Sequence, residues 1–177
     1  MKLLNKFSNG PFLFESNYFE DDRGVFLKIF NSDNDFLNQY TVRQINYVVS
    51  VEKHTLRGLH YQQGEAAESK IFRAVKGAAQ IAFADVRPDS PTYQQATTVV
   101  LDNPKQAVAI PRGFATGYCT LTDNTTMLYL SDNDYHISTE AGLLWSDPKL
   151  NIEWLVENPI LSEKDKAWSL ISPDVSS

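Results

Sequence analysis

The residues able to do chemistry gather in a few short runs. Leu56-Arg57-Gly58-Leu59-His60-Tyr61-Gln62 carries an arginine and one of only three histidines in the chain, while Lys70, Tyr129 and the late run Ser162-Glu163-Lys164-Asp165 supply an amine, a phenol and a carboxylate. A histidine takes and returns protons near neutrality because its unperturbed pKa is about 6.5, and a carboxylate bonded to its other ring nitrogen fixes the tautomer. His60 is therefore the candidate base and Asp165 its candidate orienter. A lysine ammonium beside them would hold the negative oxygen of an enolate, and a phenol of pKa about 10 would deliver a proton from another direction. Such a set suits proton abstraction next to a carbonyl.

Each residue also has a purely structural reading. A histidine in an alternating strand is commonly a satisfied polar group. Ser162 followed three residues later by an acid has the form of a helix N-cap, so Asp165 also reads as part of a helix start. Lys70 reads as a solvated strand lysine, and Tyr129, within Thr126-Met127-Leu128-Tyr129-Leu130, as the core aromatic of a buried strand. The two readings of Asp165 are compatible, because an acid held by a serine cap is rigidly placed.

The elements that must position these groups are strands. Short β-branched and aromatic runs recur at 24–30, 44–49, 69–75, 79–86, 96–101, 107–110, 118–121 and 127–130, separated by Gly, Pro and Asn/Asp turn signals at the spacing of a sandwich or barrel. Two short peripheral helices are expected, over Ser32 to Gln39 and from near Ser162. At 177 residues the chain fits one domain, residues 1–177, with no linker or repeat dividing it. The glycines are isolated turn residues, which gives no support to a phosphate-cradling glycine loop.

Composition narrows the partners. Sixteen basic residues against twenty-two acidic ones leave a net charge of −6, and no basic run tracks a phosphate backbone, so nucleic acid is not an expected partner. The single cysteine, Cys119, reads as a small buried apolar side chain, which fits a reducing compartment. No apolar stretch reaches the length of a membrane span, and the expectation is a soluble, cytoplasmic protein with no membrane partner. His54, His60 and His136 form no His-x-His pair, so no metal site and no cofactor are expected.

In order along the chain stand Asp22-Arg23-Gly24-Val25-Phe26, Arg43-Gln44-Ile45-Asn46, Leu56 to Gln62, Lys70, Asp85 to Tyr93, Ile110-Pro111-Arg112-Gly113-Phe114-Ala115, Tyr129, Asp147-Pro148 and Leu161 to Asp165. With this ordered set the sequence resembles the dTDP-4-dehydrorhamnose 3,5-epimerase family over nearly its whole length. The resemblance implies an all-β, cupin-like jelly-roll barrel and metal-free epimerisation of a nucleotide-diphosphate 4-keto-6-deoxyhexose, in deoxysugar biosynthesis of the lipopolysaccharide and O-antigen type. It also implies a homodimer in which amino-terminal residues reach the partner's site. By position, His60 matches the family's base, Asp165 its supporting carboxylate, Lys70 the residue near the keto oxygen and Tyr129 the proton donor. Arg57 matches a substrate-contacting arginine. Arg23, Phe26, Gln44 and Asn46 fall at nucleotide-side positions, and Tyr135 at that of an aromatic packing near the nucleotide.

Two departures stand out. Where the family usually reads Phe-Ala-His-Gly, this chain has Phe114-Ala115-Thr116-Gly117, which bears on whether C5 as well as C3 is inverted. Where the family usually has a glutamate, this chain has Lys28. A lysine donates to the N3 acceptor of cytosine, whereas thymine and uracil present an N3–H donor, so Lys28 points to a CDP-linked sugar while the family implies dTDP; Lys28 turned to solvent is the other reading. Two alternative functions are a 3,4-ketoisomerase, which uses the same enolate but moves the carbonyl, and a non-catalytic sugar-nucleotide-binding barrel. The complete set of His60, Lys70, Tyr129 and Asp165 favours epimerisation over both.

Overall fold

A computed structural model describes residues 1–171. Its strands are β1 (Lys2–Lys6), β2 (Phe12–Glu15), β3 (Tyr18–Asp21), β4 (Gly24–Leu27), β5 (Gln44–Ser50), β6 (Leu56–Gln62), β7 (Lys70–Lys76), β8 (Ala79–Asp85), β9 (Ala96–Leu101), β10 (Gln106–Ile110), β11 (Phe114–Thr120), β12 (Thr125–Ser131) and β13 (Glu140–Gly142). One sheet runs β1-β2-β10-β7-β12-β5, a second β13-β6-β11-β8-β9, and β3 and β4 form a separate hairpin. The neighbouring strands pair antiparallel. This is the expected all-β, cupin-like jelly roll, two sheets packed face to face.

Strand position explains strand composition. β8 and β11, flanked on both sides and covered on both faces, are buried at every residue and built mostly from small and apolar side chains, with Gln80 and Asp85 buried through hydrogen bonds to Glu153 and Arg87. β5 lies at an edge and alternates, with Ile45, Tyr47 and Val49 outward and Asn46 and Val48 turned in. Between the sheets Phe72, Ala74, Val108, Ile110 and Met127 meet Ile81, Phe83, Phe114 and Tyr118. Fully burying each larger apolar side chain of this core contributes about 1.5–3 kcal/mol.

Irregular chain covers both outer faces. Ile29, Phe30, Phe36, Leu37 and Tyr40 lie over Phe12, Phe14 and Ile71 of the first sheet, and Leu143, Leu150, Trp154 and Val156 lie over Leu56, Leu59 and Cys119 of the second. The expected helix over Ser32 to Gln39 is not present; the segment is a series of turns. Asn31 and Asn34 side chains accept from the amides of Asp33 and Phe36, local bonds that compete with a helical ladder. The second expected helix exists as the single-turn α1 (Glu163–Lys166), with Ser162 at its N-cap accepting from the Asp165 amide at 3.1 Å. Cys119 is fully buried, and burial pushes its thiol up to about 11. Among the described residues no helix is long and apolar enough to cross a membrane.

Candidate active site

Arg57 and His60 are three apart on β6, and in a regular strand they would point to opposite faces. The pairing with β11 prevents this. Thr116 stands opposite His60 and Tyr118 opposite Arg57, so two steps on β11 match three on β6. The extra residue is a bulge, which resets the alternation. Arg57 and His60 then both line the cavity between the sheets, while Leu56 and Leu59 both join the outer clusters. Gly58 carries the bulge at φ +134°, and a Cβ there would lie 2.5 Å from Gly117 Cα. Glycine is needed on both strands for the backbones to approach this closely.

His60 is held from behind by the carboxyl-terminal segment. Its Nε2 lies 2.6 Å from Asp165 Oδ1, and the cap bond from Ser162 fixes the backbone that carries this acid. The Trp168 indole packs edge-on to the imidazole, with ring centroids 5.9 Å apart. It occupies the space beside Gly142, where a Cβ would lie 2.3 Å from the indole, and Gly142 is the β13 residue opposite His60. Burial acts to raise the Asp165 carboxyl, but the hydrogen bond and charge of His60, then Ser162 and Trp168, hold it below the ordinary carboxylate range. Above the pair, Glu140 accepts from Lys164 Nζ at 2.6 Å and from Tyr135 Oη at 2.7 Å, tying α1 to β13.

The facing wall comes from the other sheet. In register, Asn46, Tyr129 and Phe72 form one row across β5, β12 and β7, and Gln44, Ser131 and Lys70 the next. Lys70 and Tyr129 consequently look across at His60 and Arg57. Tyr129 packs on Phe72 with centroids 5.2 Å apart. Burial, and then the charge of Glu68, raise the Tyr129 phenol above its ordinary pKa, with Arg57 opposing, so it stays a proton donor at neutral pH. Tyr118 is pushed up to about 12, mainly by burial, with Arg57 and Ser50 opposing.

Arg57, His60, Lys70, Thr116, Tyr129, Tyr135 and Asp165 thus line one cavity of about 370 Å³, within the usual range for small-molecule sites, about 300–1,000 Å³. The Thr116 hydroxyl donates to the His60 carbonyl at 3.3 Å. Gln44 and Asn46 stand beside the site: Gln44 donates to Asn46 at 2.9 Å and accepts from the Tyr135 amide at 3.3 Å. Arg23, Phe26 and Lys28 are not brought to the cavity. They lie exposed on or just after the β3–β4 hairpin, where Arg23 pairs with Asp21 at 2.7 Å. Glu68, Tyr118, Glu140, Lys164 and Trp168 belong to the site or its immediate support without having been singled out in sequence. Among the described residues no three His, Cys, Asp or Glu side chains cluster as metal ligands would.

The sequence profile described as dTDP-4-dehydrorhamnose 3,5-epimerase matches residues 8–172. A dTDP-4-dehydrorhamnose 3,5-epimerase of Shigella flexneri is 39% identical over 158 residues, 86% of each chain. The crystal structure of the Bacillus anthracis dTDP-4-dehydrorhamnose 3,5-epimerase, with TDP and PPi bound, superposes with a TM-score of 0.91 at 34% identity, covering 96% of this chain and 99% of that one. The Legionella pneumophila dTDP-6-deoxy-D-glucose-3,5-epimerase, in complex with dTDP-4-keto-L-rhamnose, gives a TM-score of 0.89 at 30% identity, covering 96% and 92%. This chain belongs to the dTDP-4-dehydrorhamnose 3,5-epimerase family of isomerases.

Proposed function

We propose that this protein inverts C3 of a nucleotide-diphosphate 4-keto-6-deoxyhexose, either alone or followed by C5 in a second cycle of the same chemistry. The observation that carries the reading is that His60 of the second sheet, backed by Asp165 of α1, faces Lys70 and Tyr129 of the first sheet across one cavity. Inversion requires a proton to leave one face of a carbon and another to arrive at the opposite face. A base on one wall and an acid on the other supply that geometry.

With Nε2 bonded to Asp165, His60 keeps Nδ1 to take the C3 proton, which the C4 ketone acidifies. The electron pair left at C3 moves into an enolate, negative at O4. The Lys70 ammonium stabilises that oxygen; loss of such a donor in comparable oxyanion sites costs on the order of a hundredfold or more. Tyr129 then protonates C3 from the far side, and solvent returns the proton balance of the two side chains. Asp165 holds the imidazole and favours the imidazolium formed in the first step. A ketoisomerase would use the same enolate but return the proton so as to move the carbonyl; two proton-transfer groups on opposing walls favour inversion.

The nucleotide sugar is dTDP-linked by family, which the TDP-bound relative supports, while Lys28 favours a CDP-linked one. We also propose a homodimer. The edge strand β5 exposes Ile45 at 63%, Tyr47 at 69% and Val49 at 48%, and the hairpin exposes Phe19 at 57% and Phe26 at 62%, apolar surface that a second copy would cover. Such pairing would bring the Arg23, Phe26 and Lys28 segment of one copy to the cavity of the other.

Incubation with dTDP-4-keto-6-deoxyglucose, read by NMR, tests the function. Inverted C3 alone, or inverted C3 and C5, supports the proposal and sets its scope. A carbonyl moved to C3, or a substrate bound but unchanged, contradicts it.

A further inference from the structure

Lys70 does not face the cavity alone. Its Nζ lies 2.9 Å from Glu68 Oε1, and the two side chains are only 12% and 8% exposed. The other oxygen of Glu68 accepts from the Ser131 hydroxyl, and Ser131 is the β12 residue opposite Lys70 in register. Ser131 is also two residues beyond Tyr129 on the same face of β12. The Glu68 carboxylate therefore bridges the strands that carry the proposed oxyanion holder and the proposed proton donor. The mechanism above makes no use of it.

Such an arrangement has a physical purpose. A lysine side chain is long and flexible, and it acts on an enolate oxygen only if its ammonium is held there beforehand. A carboxylate fixed by a second strand holds one N–H of Lys70 and leaves the others for substrate. It also places a negative charge beside a phenol whose task is to keep its proton until the enolate has formed.

Resting on the proposed epimerase reading, we infer that Glu68 is a positioning residue, which orients the Lys70 ammonium toward O4 and sets the electrostatic field at the Tyr129 hydroxyl. Other groups act on the same field: Arg57 and His60 from β6, Tyr118 from β11, Tyr135 from the segment leading into β13 and Glu140 at its start, and Lys164 and Asp165 from α1. Arg112 and Asp132 pair at the end of β12, where Asp132 accepts from the Ser69 amide. Arg57 opposes Glu68 at Tyr129. Removing Glu68 leaves that opposing cation in place.

The test is the pH profile of kcat and KM for wild type, Glu68→Gln, Glu68→Asp and Ser131→Ala on a 4-keto-6-deoxyhexose nucleotide. Glu68→Gln should lower kcat by roughly tenfold or more with KM little changed, the pattern of an interaction made in the transition state, and should move the basic limb to lower pH. Glu68→Asp, which keeps the charge, should return that limb toward wild type. Ser131→Ala, which keeps both charges, should lower kcat without moving the limb, and it answers the question if Glu68→Gln fails to fold. Unchanged kcat and an unmoved limb in folded Glu68→Gln would overturn this inference alone. A wild-type protein inactive on the substrate would overturn the epimerase reading and this inference with it.

Discussion

Gly58 and Gly117 meet backbone to backbone, close enough that a Cβ on Gly58 would stand 2.5 Å from Gly117 Cα. This contact is the structural origin of the site, because the bulge it permits puts Arg57 and His60 on one face. Gly58→Ala should destabilise the protein by about 1–3 kcal/mol from backbone strain alone, with the clash adding to that. Activity should fall further than stability, since the face of Arg57 or His60 is disturbed. Urea unfolding and turnover assays check this; an unchanged midpoint together with unchanged turnover would contradict it.

Tyr129→Phe should separate proton removal from inversion, because it keeps the ring and deletes the donor. In deuterated water, label should enter the substrate better than product forms. Since burial and Glu68 hold the phenol above its ordinary pKa of about 10, wild-type kcat should not lose this donor below that pH and should fall as the pH rises past it. Equal loss of wash-in and product, or of neither, would count against Tyr129 as donor.

Brought to the nucleotide base by a second copy, as proposed above, Lys28 would offer a donor where thymine also presents one. A mismatched group in a desolvated site costs about 1–3 kcal/mol, so a true cytosine preference should appear as roughly tenfold or more in affinity. Titration with CDP, dTDP and GDP under one set of conditions decides the point. Tighter dTDP binding, unchanged by Lys28→Glu, would reject the CDP reading.

The strands were legible in sequence because their signals, alternation and turn residues, are local, and the serine cap three positions before Asp165 marked the start of α1; His60, Lys70 and Tyr129 stood out through the ordered family resemblance rather than through any local pattern. β2 and β13, of four and three residues, carry too few alternations to register. The turns at 32–39 went unseen because Asn and Asp side chains compete with a helix through bonds that an apolar pattern does not show. The bulge at Gly58 was hidden for another reason, since it depends on a second glycine 59 positions away in β11. Glu68 had a local signal, a carboxylate two positions before a candidate lysine, as did Lys164, next to Asp165 in the late run.

The His60–Asp165 dyad is the centre of the account, and proton exchange at C3 reads it most directly. With the 4-keto-6-deoxyhexose nucleotide in deuterated water, wild type should wash deuterium into C3. His60→Ala and Asp165→Asn, both folded, should do so more slowly by roughly 10²- to 10⁴-fold, the usual contribution of general-base assistance. Exchange at C3 near the wild-type rate in correctly folded His60→Ala would contradict the account.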